Sequence, residues 1–422
     1  MHIPQYSIPM LVAVGLVAAL ASTGCGTAPS NPEAASAATA ASTQPQAATQ
    51  PQKGGQDMYG PYEVVENWLQ PLPDDTHSHD GWTWGSQAAV YAETPDRIWI
   101  AQRGELPLPP GAKPWTPYAQ IIPSPGAATG PRTMRYRHVI FVVNRDGKMV
   151  QSWPQHDQLF DQPKAPLGPR GPHKIKISPY DPEKHVWVID DNLHQIFKFT
   201  YDGQLVMTLG EMGVEGRGPN TFARPTDIAW LPDGTFFISD GYHGKRVAKF
   251  DKDGTFLMDW GTEPADPKNP GPNEWDTVHS IAISKDRRIF VVDRGHERFQ
   301  VFDENGKFLD MFPTREDHWP TGVRSLPYYH LITDDQYIWV GDGGTQRILK
   351  YDLDGNFLYG WGQAGGQPGQ FWGPHQISVD QEGNMYVAEV QNGRIQKFRP
   401  KPNADPAKLV GQEVRLAPTS NN

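Results

Sequence analysis

Residues Phe222–Gly261 read FARPTDIAWLPDGTFFISDGYHGKRVAKFDKDGTFLMDWG. Apolar and polar side chains alternate in four short runs, Thr226–Trp230, Thr235–Asp240, Arg246–Phe250 and Thr255–Trp260. A period of two over such lengths predicts half-buried strands. Asp233-Gly234 and Asp253-Gly254 punctuate the runs, and a turn of that composition needs the positive φ that glycine tolerates. One four-stranded antiparallel sheet cannot bury its own apolar face, so it needs neighbours like itself.

The chain supplies those neighbours. The pattern recurs at roughly 50-residue spacing, a period that signals propeller arrays. Copies start at Gly171, Val278, Leu326 and Gly373, and a diverged copy starts at Ser86 and resumes at His138 after an insertion. Six units packed radially predict an all-β fold, a six-bladed β-propeller spanning 57–416, whose sheet edges stay short and protected. The repeats resemble NHL repeats.

Hydrophobic residues make up 37% and charged residues 20%, which suits a soluble fold with a sizeable core. Net charge is −10 and no basic run exists, which excludes nucleic acid as a partner. The expected partner is a small-molecule or peptide substrate, and the propeller is expected to be a monomer. Ile8–Ala21 is apolar but short for a membrane span. It leads through Ala21-Ser22-Thr23-Gly24 to Cys25. Residues 1–25 therefore read as a secretory signal ending in a sequence similar to a bacterial lipobox, with Ser22 where that pattern prefers an apolar residue. Residues 26–56, rich in Ala, Ser, Thr, Gln and Pro, read as a disordered tether. The expected location is exported, lipid-anchored through Cys25 to a bacterial membrane and facing the periplasm or cell surface, or otherwise secreted. That anchor would be its one membrane contact. Cys25 is the single cysteine, so blade packing must stabilise the fold without disulfides. Residues 417–422 form a short tail. Either Tyr62–Trp68 or Lys408–Leu416 could close the ring. The Pro-rich insertion Glu105–Tyr136 reads as a lid or a packed surface excursion.

Within each unit the first strand begins near the axis. The connection leading into it and the loop after the second strand open on one face, so residues at both places converge on one mouth. The units align on the acid that ends the second strand: Asp240, Asp293, Asp342, Glu389 and, in the longer second blade, Asp190. At the start of the first strand, blades 2, 4 and 6 then carry His173, His279 and His375, and blades 1, 3 and 5 carry Ala88, Thr226 and Tyr328. Histidines on alternate blades form a triangle about the axis. Three neutral imidazoles with a free fourth position are a catalytic zinc pattern, and zinc there would lower the pKa of bound water or polarise a substrate oxygen. The loops after the second strands add Tyr242 in Asp240-Gly241-Tyr242-His243, Arg294 in Asp293-Arg294-Gly295 and Arg103 in Gln102-Arg103-Gly104. A free phenol, with a pKa of about 10, is a poor base, but neighbouring cations favour its phenolate. Arginine is the natural clamp for a carboxylate.

This set resembles the peptidyl-α-hydroxyglycine α-amidating lyase family. Pro172-His173 and Pro374-His375 match that family's Pro-His motifs, and Val278-His279-Ser280 matches without the proline. Ser239-Asp240-Gly241-Tyr242 is similar to the loop holding the family's catalytic tyrosine. Arg103 and Arg294 fall in the segments of its active-site arginines, and the run Asp191–Phe199 resembles its blade-two strand. The resemblance covers roughly Trp82 to Phe398. It departs in three places. The family's aspartate after the third histidine, which helps to bind calcium, is Gln376 here. The implied calcium site, with the carbonyls of Val90 and Ile175, is thereby weakened, because a neutral amide replaces a carboxylate. A methionine two residues before that histidine is Gly373, and the family's disulfides have no counterpart.

The resemblance implies a zinc-dependent lyase that splits the N–C bond of a carbinolamide such as peptidyl-α-hydroxyglycine into an amide and glyoxylate. His173, His279 and His375 would hold zinc, and Tyr242 as phenolate would take the hydroxyl proton. Arg103 would support the phenolate or the developing charge, and Arg294 would hold the carboxylate. Two other readings stay open. One is a non-catalytic NHL propeller, a tethered ligand-binding or scaffold lipoprotein, since propellers host many functions. The other is a metal-dependent hydrolase of another small substrate using the same mouth.

Overall fold

A computed structural model describes residues 60–70, 82–107, 111, 135–162, 170–314 and 322–418. The signal and lipobox readings, Cys25, the tether, most of the insertion and residues 419–422 lie outside them. Six four-stranded antiparallel sheets form the blades, and a two-stranded ribbon pairs Trp82–Trp84 with Glu105–Pro107. Blades 1 to 6 occupy 87–152, 174–209, 225–260, 278–313, 327–361 and 374–400. The inner strands are Gln87–Thr94, Lys174–Ile177, Pro225–Trp230, Val278–Ile283, Pro327–Ile332 and Pro374–Val379. Each packs against the inner strand of the next blade, which closes a ring about the axis. Burial falls outward. The second strand Phe236–Asp240 is buried throughout, whereas the outermost strand Leu205–Leu209 of blade 2 is mostly exposed.

The stretch that announces the fold forms strands at Pro225–Trp230, Phe236–Asp240, Arg246–Phe250 and Phe256–Trp260, within a residue of the expected runs. Gly234 and Gly254 take φ of +87° and +85°, as their Asp-Gly turns require. The wedges between blades are aromatic and aliphatic. Phe237 and Trp260 of blade 3, for example, share one cluster with Trp275, Ile281 and Phe302 at blade 4. Such interlocking layers, each buried only by its neighbour, stabilise the ring without a disulfide.

The acids that end the second strands of blades 3, 4 and 6 share a structural task. Asp240 accepts from the Ala223 N–H at 2.7 Å and from Arg246 Nε at 2.9 Å. Asp293 does the same with Thr277 N–H and Arg298, and Glu389 with Trp372 N–H and Arg394. Each clasp ties the connection leading into the blade to its third strand. Arg246 and Asp240 are both fully buried. Replacing Arg246 by Met should therefore leave a buried carboxylate without its partner and cost about 3–5 kcal/mol. Urea unfolding followed by tryptophan fluorescence would measure this, and an unchanged midpoint would remove the clasp from the account.

Ring closure falls to the N-terminal candidate. Tyr62–Val65 pairs antiparallel with Arg394–Pro400 as the outermost strand of blade 6, with Tyr62 opposite Pro400 and Val64 opposite Phe398. Tyr62 is buried against Trp361 and Phe398. The C-terminal candidate runs across the channel end opposite the histidines. Its Val410 N–H donates to Tyr62 Oη, Val414 N–H to Ile332 O, and Leu416 N–H to Tyr180 Oη. It joins no blade as a fourth strand. Of the insertion, residues 105–107, 111, 135 and 136 are described. Glu105 and Arg135 bridge back to back, and Tyr136 is buried beside blade 1. No helix among the described residues is long and apolar enough to cross a membrane.

Candidate functional site

A backbone irregularity aims the histidines. In five blades the ladder between the first and second strands breaks register, at Gln87/Ala89, Pro225/Asp227, Val278/Ser280, Pro327/Tyr329 and Pro374/Gln376. The residues left out are Ala88, Thr226, His279, Tyr328 and His375. A β-bulge re-aims its side chain out of the pleat, here toward the axis. In blade 2, His173 precedes its strand and is held by its N–H to Ile189 O at 2.7 Å.

The three imidazoles meet. Their nearest ring nitrogens lie within 4.8 Å of one another, and the ring centres are 4.6–5.2 Å apart. Each Nδ1 faces a backbone carbonyl of the following blade: His173 that of Thr226 at 2.7 Å, His279 that of Tyr328 at 2.6 Å, His375 that of Ala88 at 2.8 Å. A carbonyl can only accept, so Nδ1 carries the hydrogen and the Nε2 lone pair faces the axis. The odd blades thus supply the acceptors that orient the ligands of the even blades, the usual support for metal-binding histidines. Burial pushes all three imidazoles well below the ordinary histidine value, and Arg103 pushes the same way, so they stay neutral.

These residues fit zinc. Three Nε2 acceptors converge, and the Tyr242 hydroxyl beside them lies 3.0 Å from His279 Nε2 and 3.3 Å from His173 Nε2. One phenolic hydrogen can satisfy one lone pair, which leaves the others facing each other unless a cation joins them. Tyr242 reaches this place because its loop runs close to blade 4. A Cβ at Gly241 would lie 1.5 Å from Val278 O, so only glycine allows the approach.

Charge around Tyr242 is strongly positive. Arg224 lies with its guanidinium carbon 4.0 Å from the ring centre, Arg294 at 4.9 Å and Arg170 at 5.7 Å. Burial alone would raise the phenol, but Arg294, Arg170 and Arg103 outweigh it and hold the phenol below its ordinary value. Arg294 Nη1 is 3.5 Å from Tyr242 Oη and is also close to the Tyr328 ring. Arg103 sits one step back, donating from Nε to Pro172 O at 3.0 Å and from Nη2 to Asp191 Oδ1 at 3.4 Å. The residues expected at the mouth are therefore together.

Reading the sequence missed Arg170, Arg224 and the pairing role of Asp191. The buried Asp191 carboxylate binds Arg103, Arg170 and Arg224, and these guanidiniums pull it below its ordinary value despite burial. The signal was available. Arg170 stands three residues before His173 and Arg224 two before Thr226, both in connections that open on this mouth.

The implied calcium site does not fit. Gln376 Nε2 donates to Ile175 O at 3.0 Å, which fills that carbonyl with a donor. The buried Lys174 amine, pushed down to about 7 by burial, donates to His375 O at 3.3 Å and faces the Tyr329 ring at 4.3 Å. Below it, Lys176 pairs with Asp227 at 2.8 Å and donates to Ile228 O at 3.0 Å. Calcium takes six to eight oxygens, several of them charged, whereas this channel already holds two lysine side chains that donate to its carbonyls. Adding millimolar calcium should leave the melting temperature unchanged. A site filled to about 1,000 times its Kd would add about 4 kcal/mol, so a rise of several degrees would restore calcium to the channel.

No family model matches the chain. Peptidyl-alpha-hydroxyglycine alpha-amidating lyase 1 of Drosophila melanogaster is 28% identical over 257 residues, covering 56% of this chain and 46% of that protein. Peptidyl-glycine alpha-amidating monooxygenase of Mus musculus is 35% identical over 237 residues, 54% of this chain and 23% of that protein. NHL repeat-containing protein 3 of Mus musculus is 27% identical over 281 residues, 64% of this chain and 74% of that protein. The chain thus spans less than half the length of the first curated relatives it matches. Among solved structures, a streptogramin B lyase aligns with a TM-score of 0.47 at 12% identity, over 81% of this chain and 98% of that one. The chain is a six-bladed β-propeller of NHL-type repeats whose homologues include peptidyl-α-hydroxyglycine α-amidating lyases and NHL repeat-containing proteins.

Proposed function

We propose that the chain is a zinc-dependent carbon–nitrogen lyase acting on acyl-α-hydroxyglycines. The observation that carries this reading is the Tyr242 hydroxyl at 3.0 Å from His279 Nε2, under cationic side chains and beside three inward-facing imidazoles. His173, His279 and His375 would hold the zinc, which when bound supplies Lewis acidity toward a substrate oxygen. Arg294, partly exposed at the rim and within 3.5 Å of Tyr242 Oη, binds the substrate carboxylate and fixes its hydroxyl near that oxygen. The Tyr242 phenolate takes the hydroxyl proton. As that oxygen becomes a carbonyl, the carbon–nitrogen bond breaks with its electron pair going to nitrogen. The amide nitrogen then takes a proton back from the Tyr242 phenol, so glyoxylate and a carboxamide leave with no net change in protons or electrons. Arg103 and Arg224, anchored on Asp191, keep the region cationic and stabilise the phenolate between turnovers.

The test is glyoxylate release from α-hydroxyhippurate by the full chain, metal-loaded and chelated in parallel. Release that depends on metal is expected. Tightly bound zinc without release would favour a hydrolase of another small substrate. Neither zinc nor release would leave the ligand-binding or scaffold reading.

A further inference from the structure

Arg103, Arg170 and Arg224 surround one buried carboxylate, Asp191. Three guanidiniums carry about fifteen N–H donors, and one carboxylate accepts about four hydrogen bonds. Arg103 spends one further donor on Pro172 O. The buried Arg170 Nε lies 3.4 Å from Asp191 Oδ1 as an ion pair without hydrogen-bond geometry, and the buried Arg224 Nε has no hydrogen-bond partner. Asp190 adds no acceptor for these donors. Its Oδ1 is taken by the N–H groups of Asn192 and Leu193, and its buried Oδ2 meets no donor. The mouth therefore has more cationic donors than its own acids can fill, in a chain whose net charge is −10. Unmet buried donors are costly, and Arg294 alone is enough for the carboxylate that every α-hydroxyglycine carries. Arg170 is the exposed member of the trio, with 29% of its side chain accessible against 8% and 10% for Arg103 and Arg224.

We propose that the substrate is a dianion, an acyl-α-hydroxyglycine with a second carboxylate on its acyl side, and that Arg170 receives that carboxylate. The proposal rests on the lyase reading above. Arg294 anchors one end of the carbinolamide, and Arg170, also beside the Tyr242 ring, anchors the other. Asp191 holds the three guanidiniums in place. An acidic peptide and the half-amide of a dicarboxylic acid share this chemistry.

The test compares two probes of the same size, N-succinyl-α-hydroxyglycine and its uncharged carboxamide analogue, N-succinamyl-α-hydroxyglycine. Glyoxylate release is followed with the full chain loaded with zinc. A charge-assisted hydrogen bond should favour the succinyl probe about 10–100-fold in kcat/KM, mainly through KM. In R170Q the ratio should fall to about one whatever the absolute rates, and R170K should recover part of it. Raising the salt should narrow the wild-type ratio. Equal kcat/KM for the two probes, or a ratio untouched in R170Q, would overturn the dianion proposal and leave the lyase reading standing. Release from neither probe would overturn both.

Discussion

Tyr242→Phe should lower glyoxylate release by about 10²–10⁴-fold, the range a positioned proton-transfer group supplies, with zinc content and melting temperature unchanged. The substitution removes one oxygen. The remaining ring can keep its packing under Arg224 at 4.0 Å and Arg294 at 4.9 Å, so the loop has no reason to move. The imidazoles keep their Nδ1–H bonds to Thr226, Tyr328 and Ala88, and metal affinity should persist. Only the atom 3.0 Å from His279 Nε2 is lost. Single-turnover assays with atomic-emission zinc analysis would separate the two effects. A variant that turns over at the wild-type rate would show that another group moves the proton.

His375→Ala should lose tightly bound zinc and turnover together, with turnover falling by about 10³-fold. Lewis-acid stabilisation is worth several kcal/mol, and each 1.36 kcal/mol is tenfold. Two imidazoles fall short of the three protein ligands typical of a catalytic zinc. The propeller itself should hold, because His375 stands on a bulge rather than in the ladder. Its removal also relieves three lone pairs confined within 4.8 Å. Chelated wild-type protein should match the variant, and added zinc should rescue only the wild type. A variant that retains stoichiometric zinc and full rate would place the metal elsewhere.

Much of this was legible in the chain. The strand runs of residues 222–261 came within a residue of the observed strands, because period-two burial and Asp-Gly turns are local effects. Aligning units on Asp240, Asp293 and Glu389 worked because those acids perform one repeated local task, clasping the blade's leading connection to its third strand. The alignment put His173, His279 and His375 on alternate blades, and the structure brings them together.

What the sequence could not express were contacts between distant residues. The bulges that turn His279 and His375 inward depend on pairing with a neighbouring strand. The acceptor for His375 is Ala88, 287 residues away in the chain. Asp191 gathers guanidiniums from three blades' connections, and no one stretch shows that convergence. The choice of Tyr62–Val65 over the C-terminal segment as the closing strand turned on its pairing with Arg394–Pro400, at the far end of the chain. Gln376 and Lys174 show the same limit in the channel. The sequence displayed a missing carboxylate, and the fold alone showed that an amide and a buried lysine amine lie where a cation's oxygens would be needed. Local periodicity and turn chemistry fix the blades. Electrostatics and hydrogen bonding across the axis, where six separate segments meet, fix the site.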